Sequence, residues 1–288
     1  MQGEPARTGG TVRLSFQSLQ SRRNRLQRKE LLPRPRSDRD AVRFAARMRK
    51  IEQEAPRRYR DIFVCAQEDR DFFQENDPTG QLRLPYIRCG VDSKAYVAAP
   101  GARERVRAQL GLAPEDWLLV FSGSRYPPNM EALHELRAFC SQEEPFLRQN
   151  RVYFLALGSM TDAPSREGAL LSTGRVPEVV SYFAAADAGL NPITRGSGSN
   201  VKLFEYLVAR LPVISTPFGV RGTELKPDLD FLPFEPGALK PALQQFLSSR
   251  TRTEWQQHAD TVLQRHFRFC DIQELVMDAV AQRPEFTG

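Results

Sequence analysis

Arg195-Gly196-Ser197-Gly198-Ser199-Asn200-Val201-Lys202-Leu203-Phe204-Glu205 combines the residue types that bind a phosphate. Gly196 and Gly198 allow positive φ and close backbone approach, while Ser197, Ser199 and Asn200 supply hydroxyls, an amide and a helix N-cap. At the start of the helix that follows, outward amides and the helix dipole favour an anion, and Lys202 adds a full positive charge. Glu205, one turn on, is too deep in the helix to cap it. A carboxylate there suits sugar hydroxyls, so phosphate and sugar together point to a nucleotide sugar. The plainer alternative is an ordinary glycine-serine loop with an N-cap, which such short motifs often prove to be.

The flanking elements favour the ligand site. Ala188–Pro192 predicts a strand running into the loop, Asn200–Arg210 a helix, and Leu211–Pro217 a second strand ending in a turn before Phe218-Gly219-Val220-Arg221-Gly222. This βαβ succession places the loop at the carboxyl end of a parallel sheet. From Trp117 onward strands and helices alternate: strand 118–122, helix 129–140, strand 152–157, short strand 170–173 and helix 176–185 lead into the loop. Beyond it a short strand is expected at 231–234, with helices at 237–248, 252–266 and 271–281. The pattern predicts an α/β domain with a doubly wound, mostly parallel sheet over residues 100–288. Residues 1–99 are expected to form a separate, largely helical region. Its helices are predicted at about 14–30, 38–58 and 67–74, with short strands at Asp61–Cys65 and Leu84–Arg88 and a polar linker through Pro100. Ala41, Val42, Phe44, Ala45, Met48 and Ile51 recur near helical spacing and predict a buried stripe. Two strands seldom form a stable sheet alone, so the Arg-rich helices or a partner chain are expected to cover them.

The 288 residues carry a net charge of +6, and the excess is local. Residues 1–60 hold 17 Lys and Arg against 6 Asp and Glu, leaving 24 against 29 in the rest. The Arg22–Lys29 cluster therefore fits a solvated helix or arm, or weak contact with an anionic membrane surface. Neither aromatic interleaving nor a zinc or RNA-binding signature supports nucleic acid. No apolar run approaches the roughly 20 residues that span a bilayer, and no secretory leader opens the chain. The expected location is cytoplasmic, with a peripheral position at the inner membrane face as a secondary expectation. Cys65, Cys89, Cys140 and Cys270 are scattered, as are His134, His258 and His266, so reduced thiols and no protein-built metal site are expected.

Three stretches resemble the donor half of the retaining glycosyltransferase family numbered four, which has the GT-B fold. Ile87-Arg88-Cys89-Gly90-Val91-Asp92 is similar to that family's "P-N-G-V-D" passage. Val120-Phe121-Ser122-Gly123-Ser124-Arg125-Tyr126-Pro127-Pro128-Asn129 is similar to its first donor-domain strand and glycine turn. Gly196–Glu205, continued through Pro217, is similar to its donor-site helix and following strand. The resemblance covers most of residues 61–285. It implies a GT-B-like Rossmann donor domain, an incomplete acceptor-side domain before it, and transfer of a sugar from a nucleoside diphosphate to an unidentified saccharide, lipid or small-molecule acceptor with retention. It also implies roles: Glu205 on the ribose; Ser199, Asn200 and Lys202 on the diphosphate; Gly123 and Arg125 meeting it from the first turn; Gly174, Arg175 and Val176 beside the base; Arg221 a weaker candidate. Where the family has a first glutamate, eight positions before the second, this chain has Ser197, which with Gly198 completes the expected loop contacts. No catalytic residue is singled out and no cofactor is required, because positioning and electrostatics carry such chemistry. A non-catalytic nucleotide-sugar-binding or complementing subunit is the competing expectation, and a generic Rossmann-type nucleotide protein the third.

Overall fold

A computed structural model of the chain describes residues 38–64, 67–85, 91, 93–196 and 200–270, which fall into two compact units. The smaller contains α1 (Asp38–Arg58) and α2 (Gln67–Glu75). Of the two expected strands, residues 65 and 86–88 lie outside the described residues; among those described, Asp61 and Arg83 form a parallel bridge. Ile62 N–H donates to the Arg83 carbonyl at 2.9 Å and Val64 N–H to that of Pro85 at 3.1 Å. Ala55, Ile62, Val64 and Phe73 make a small core beneath them. Ile51, expected within the α1 stripe, is 41% exposed. Among the described side chains of α1, Ala55 near its end enters that core. The side chains of Ala41, Val42, Phe44, Ala45 and Met48 lie outside the described residues, as do the helices expected at 14–30 and 271–281.

The larger unit includes residues 93–96, which form a 3₁₀ turn. After α3 (Ala102–Gln109) come β1 (Trp117–Ser122), α4 (Pro127–Gln142), α5 (Glu144–Gln149), β2 (Val152–Leu157), β3 (Pro164–Glu167) and β4 (Leu170–Gly174). The chain continues through α6 (Val180–Ala185), β5 (Ala188–Asn191), α7 (Val201–Val208), β6 (Val213–Ser215), a 3₁₀ turn at Phe218–Val220, β7 (Leu232–Pro233), α8 (Leu239–Ser249) and α9 (Arg252–Cys270). The seven strands lie in the order β3-β4-β2-β1-β5-β6-β7, parallel except for β3 against β4. This is the doubly wound α/β sheet that the alternation predicts.

Burial on both faces explains the unbroken apolar strands. In β1, Leu119 and Phe121 enter the core under α4 and α8, whereas Leu118 and Val120 enter the opposite core with α3, α6 and α7. β3 escapes prediction because all four of its residues are exposed and none is aliphatic or aromatic, and only its ladder with β4 makes it a strand. α6 starts at Val180 rather than near Val176. Pro177 disfavours helical geometry at Val176, and Glu178 accepts the Ser181 N–H at 3.0 Å, which marks the true start.

β5 and α7 meet without a spacer at Gly189. A Cβ there would lie 2.4 Å from the ring of Tyr206, which is fully buried and whose hydroxyl accepts the Ser122 N–H at 2.8 Å. Gly189→Ala is expected to cost about 1–3 kcal/mol by overpacking. A urea midpoint equal to the parent's would show that α7 is not seated by this contact.

Candidate functional site

The strand order reverses between β1 and β5. From β1 the chain proceeds outward through β2 and β4, then returns to lay β5 on the other side. Ligands of open α/β sheets occupy the crevice at the carboxyl ends of such neighbours. Here the segments that follow these strands are Gly123–Tyr126 after β1 and, among the described residues, 192–196 and 200 after β5. Gly196 has φ +140°, the positive value expected of it, and a Cβ on it would lie 3.7 Å from an Arg221 guanidinium nitrogen. Arg221 therefore sits beside this loop. Ser197, Gly198 and Ser199 lie outside the described residues.

α7 brings Lys202 and Glu205 onto neighbouring positions of one face. The Lys202 ammonium is buried, donates to Asn129 Oδ1 at 2.9 Å and lies 4.7 Å from the centre of the Phe121 ring. Burial pulls its pKa down to about 7, with the Glu205 carboxylate opposing the fall. Burial likewise raises Glu205 above the usual carboxylate range, against the Tyr96 hydrogen bond and Lys202, which favour its charge. Tyr96 O–H donates to Glu205 Oε1 at 2.8 Å. The phenol is held in its protonated form by burial and by that carboxylate.

Asn200 occupies the N-cap position, yet its side chain makes no capping bond. Its amide donates instead to Asn191 Oδ1 at 2.9 Å. Fully buried Asn191 in turn donates to Ser215 Oγ at 3.1 Å and to the Gly219 carbonyl at 3.0 Å. This amide chain ties the ends of β5 and β6 to the helix start, and it draws the Asn200 side chain away from the opening amides of α7.

Around the rim, Gly123 makes room rather than a turn: a Cβ on it would lie 2.9 Å from Met160 Sδ and 3.0 Å from Asn129 Nδ2. Its carbonyl is so close to Gly158 that a Cβ there would lie 2.5 Å away. Arg125 is paired with Asp162 at 2.6 Å, both well exposed, and Arg195 forms a two-pronged pair with Glu131. Exposed pairs of this kind contribute about 0–1 kcal/mol and exchange partners readily. Gly174 ends β4 at φ +63°, packed against residues 162–163, with its N–H donating to Thr161 Oγ1 at 3.1 Å. Arg175 beyond it is exposed, and Val176 packs half-buried against the second core.

The structure thus joins Lys202, Glu205, Asn200 and, through Asn129, the Gly123 turn. Gly174 and Arg125 meet at the 158–163 loop of the same sheet edge. Sequence reasoning missed Asn129, Asn191 and Tyr96. An asparagine closing the apolar run Ala188-Gly189-Leu190 was a usable signal for Asn191. Tyr96 offered none, because 109 residues separate it from Glu205. Among the described residues no cluster of three or more potential ligands could hold a metal ion, and no helix is long and apolar enough to cross a membrane.

No family model matches the chain, and no curated protein matches it. Solved structures do. Anabaena Alr3699/HepE, in complex with UDP and glucose, superposes with a TM-score of 0.65 over 83% of this chain and 67% of its own, at 14% identity. WaaG, a glycosyltransferase involved in lipopolysaccharide biosynthesis, gives 0.63 over 89% and 70%, at 18% identity. Sucrose-phosphate synthase from Thermosynechococcus elongatus gives 0.64 over 93% and 66%, at 15% identity. This chain spans about two thirds of the length of each. At these identities the likeness shows the fold: the sheet is of the Rossmann-like kind found in these glycosyltransferase structures.

Proposed function

We propose that this chain binds a nucleoside-diphosphate sugar in the crevice between β1 and β5 and serves glycosyl transfer with retention. The observation carrying this is the buried pair on α7: a cation at the helix start and a carboxylate one turn on, facing the strand-order reversal. Lys202, Asn200 and the opening amides of α7 receive the diphosphate, and Arg125 meets it from the other loop after leaving Asp162. Glu205 accepts the ribose hydroxyls. Gly174, Arg175 and Val176 border the base, and the hydroxyl of Ser197 is available to a hydroxyl of the donor sugar. As the bond from sugar to diphosphate breaks, charge builds on the departing oxygens. The helix dipole and the Lys202 ammonium are already oriented toward it, which is how a preorganised site lowers such a barrier without a metal ion. That the structure of HepE holds UDP makes a uridine nucleotide the first to try.

The competing function is donor binding without transfer, favoured by Ser197 where the family in question has a glutamate. A serine hydroxyl bonds a sugar but supplies no charge to the reacting centre.

Thermal shift with UDP, GDP, ADP and UDP-glucose tests the binding step. A nucleotide at 100 times its Kd adds about 2.7 kcal/mol of stability. Glu205→Ala is expected to weaken nucleoside and nucleotide alike, by the roughly 1.5–3 kcal/mol of a charged hydrogen bond. If no nucleotide shifts the melting temperature at millimolar concentration, the donor site is refuted. Release of free glucose or transfer to an acceptor then separates the catalytic from the binding-only function.

A further inference from the structure

Asn129 stands at the third position of α4, buried, with both ends of its amide in use. Oδ1 accepts the Lys202 ammonium at 2.9 Å, and Nδ2 donates to the Ser124 carbonyl at 3.0 Å. Reversing the amide would turn N–H groups toward an ammonium and oxygen toward a carbonyl, so the two partners dictate its orientation. Gly123 keeps this seat open, since a Cβ on it would press on the Asn129 amide. The Gly123–Tyr126 loop and the first turn of α7 are therefore joined through one side chain.

We propose that Asn129 is a positioning residue of the donor site, holding the Lys202 ammonium in register with the Gly123–Arg125 turn so that both engage the same diphosphate. The proposal rests on the donor-site function above. A neutral amide suits the task because it orients the ammonium without compensating its charge. A carboxylate in its place would pair with Lys202 and leave less positive charge for an anion. Glu205 and, bonded to that carboxylate, Tyr96 are the titratable groups facing the lysine from its own helix and from the 93–96 turn. Phe121 of β1 closes the remaining side with a ring, so an uncharged neighbour on α4 keeps the pocket cationic when the lysine is protonated.

Two measurements on the full chain test this in Asn129→Ala and the isosteric Asn129→Asp, the latter carrying the test should the former not fold. The first is labelling of Lys202 by acetic anhydride between pH 6 and 10, read by mass spectrometry without any ligand. Asn129→Ala is expected to label faster than the parent, and Asn129→Asp to move the inflection upward by at least one pH unit. The second is the affinity for UDP relative to uridine, by calorimetry at pH 6.5. Both variants are expected to lose at least tenfold for UDP and little for uridine, whereas a merely structural asparagine would leave the ratio unchanged. Failure of the parent chain to bind any of UDP, GDP and ADP overturns the donor site and this proposal with it; if GDP or ADP binds instead, that nucleotide and its nucleoside replace UDP and uridine in the comparison. UDP binding with the parental ratio in both variants, or a Lys202 labelling profile untouched by either, overturns the role of Asn129 alone.

Discussion

Lys202→Met is expected to make the chain more stable at neutral pH while removing most of its affinity for a diphosphate. The lysine titrates near 7 in the folded protein against 10.5 when exposed, because its ammonium is buried beside Phe121 with a neutral amide as acceptor. Between those values the unfolded chain binds the proton that the folded chain has lost, so stability rises with pH, by up to about 1.4 kcal/mol per unit. Below about pH 7 both states are protonated and the full penalty of burying the charge applies. Methionine fills similar space without that charge, so its gain in stability is greatest at pH 7 and below and fades toward pH 10.5. The same substitution deletes a charge-assisted contact worth roughly 1.5–3 kcal/mol, about a ten- to hundredfold loss for UDP but not for uridine. In the parent, UDP-glucose affinity is expected to fall as pH rises from 6.5 to 8.5, since its diphosphate does not titrate there and the lysine does. Urea midpoints from pH 6 to 10 that run parallel in the two proteins would show that Lys202 is not buried as described.

Asp187→Ala is expected to be the most damaging single change to the larger unit, at about 3–5 kcal/mol. Its carboxylate is buried at the start of β5, bonded to Arg103 at 2.6 Å, within 3.3 Å of both Arg107 and Arg252, and it accepts the Leu118 N–H at 2.8 Å. Arg107 is itself buried, with further bonds to the carbonyls of Ala185, Ala113 and Asp116. Deleting the carboxylate strands that guanidinium in a dry environment with only carbonyl dipoles around it. Because the cluster lies at the amino end of β1 and β5, opposite the candidate site, residual nucleotide affinity per folded molecule should stay near the parent's. A urea midpoint lowered by less than 1 kcal/mol would mean that the carbonyls alone hold these arginines.

Local chemistry was sufficient for much of the larger unit. Runs such as Leu118–Phe121 are apolar on both faces, glycines and prolines punctuate them, and helices alternate with strands, so a parallel sheet could be read directly from the chain. The position of the glycine loop at its carboxyl edge, and the neighbouring placement of Lys202 and Glu205, follow from a strand entering a helix and from helical spacing. Where local signal was absent or misleading, the expectation failed for definable reasons. β3 has no aliphatic or aromatic residue to announce it, Pro177 delays α6, and Ile51 shares the spacing of the α1 stripe yet stays exposed.

The order of elements, the burial of the central strands and the identity of the charged groups on α7 were therefore legible in the chain alone, because each depends on residues within a few positions of one another. The company those groups keep was set by folding. Asn129 lies 73 positions from Lys202 and Tyr96 lies 109 from Glu205, and both reach the site because the sheet reverses its order between β1 and β5. That packing removes water from the lysine and the glutamate, and the loss of hydration moves their titration toward neutrality. Spacing along the chain carries no record of that solvent exclusion, since it arises only when distant segments close over the same charge.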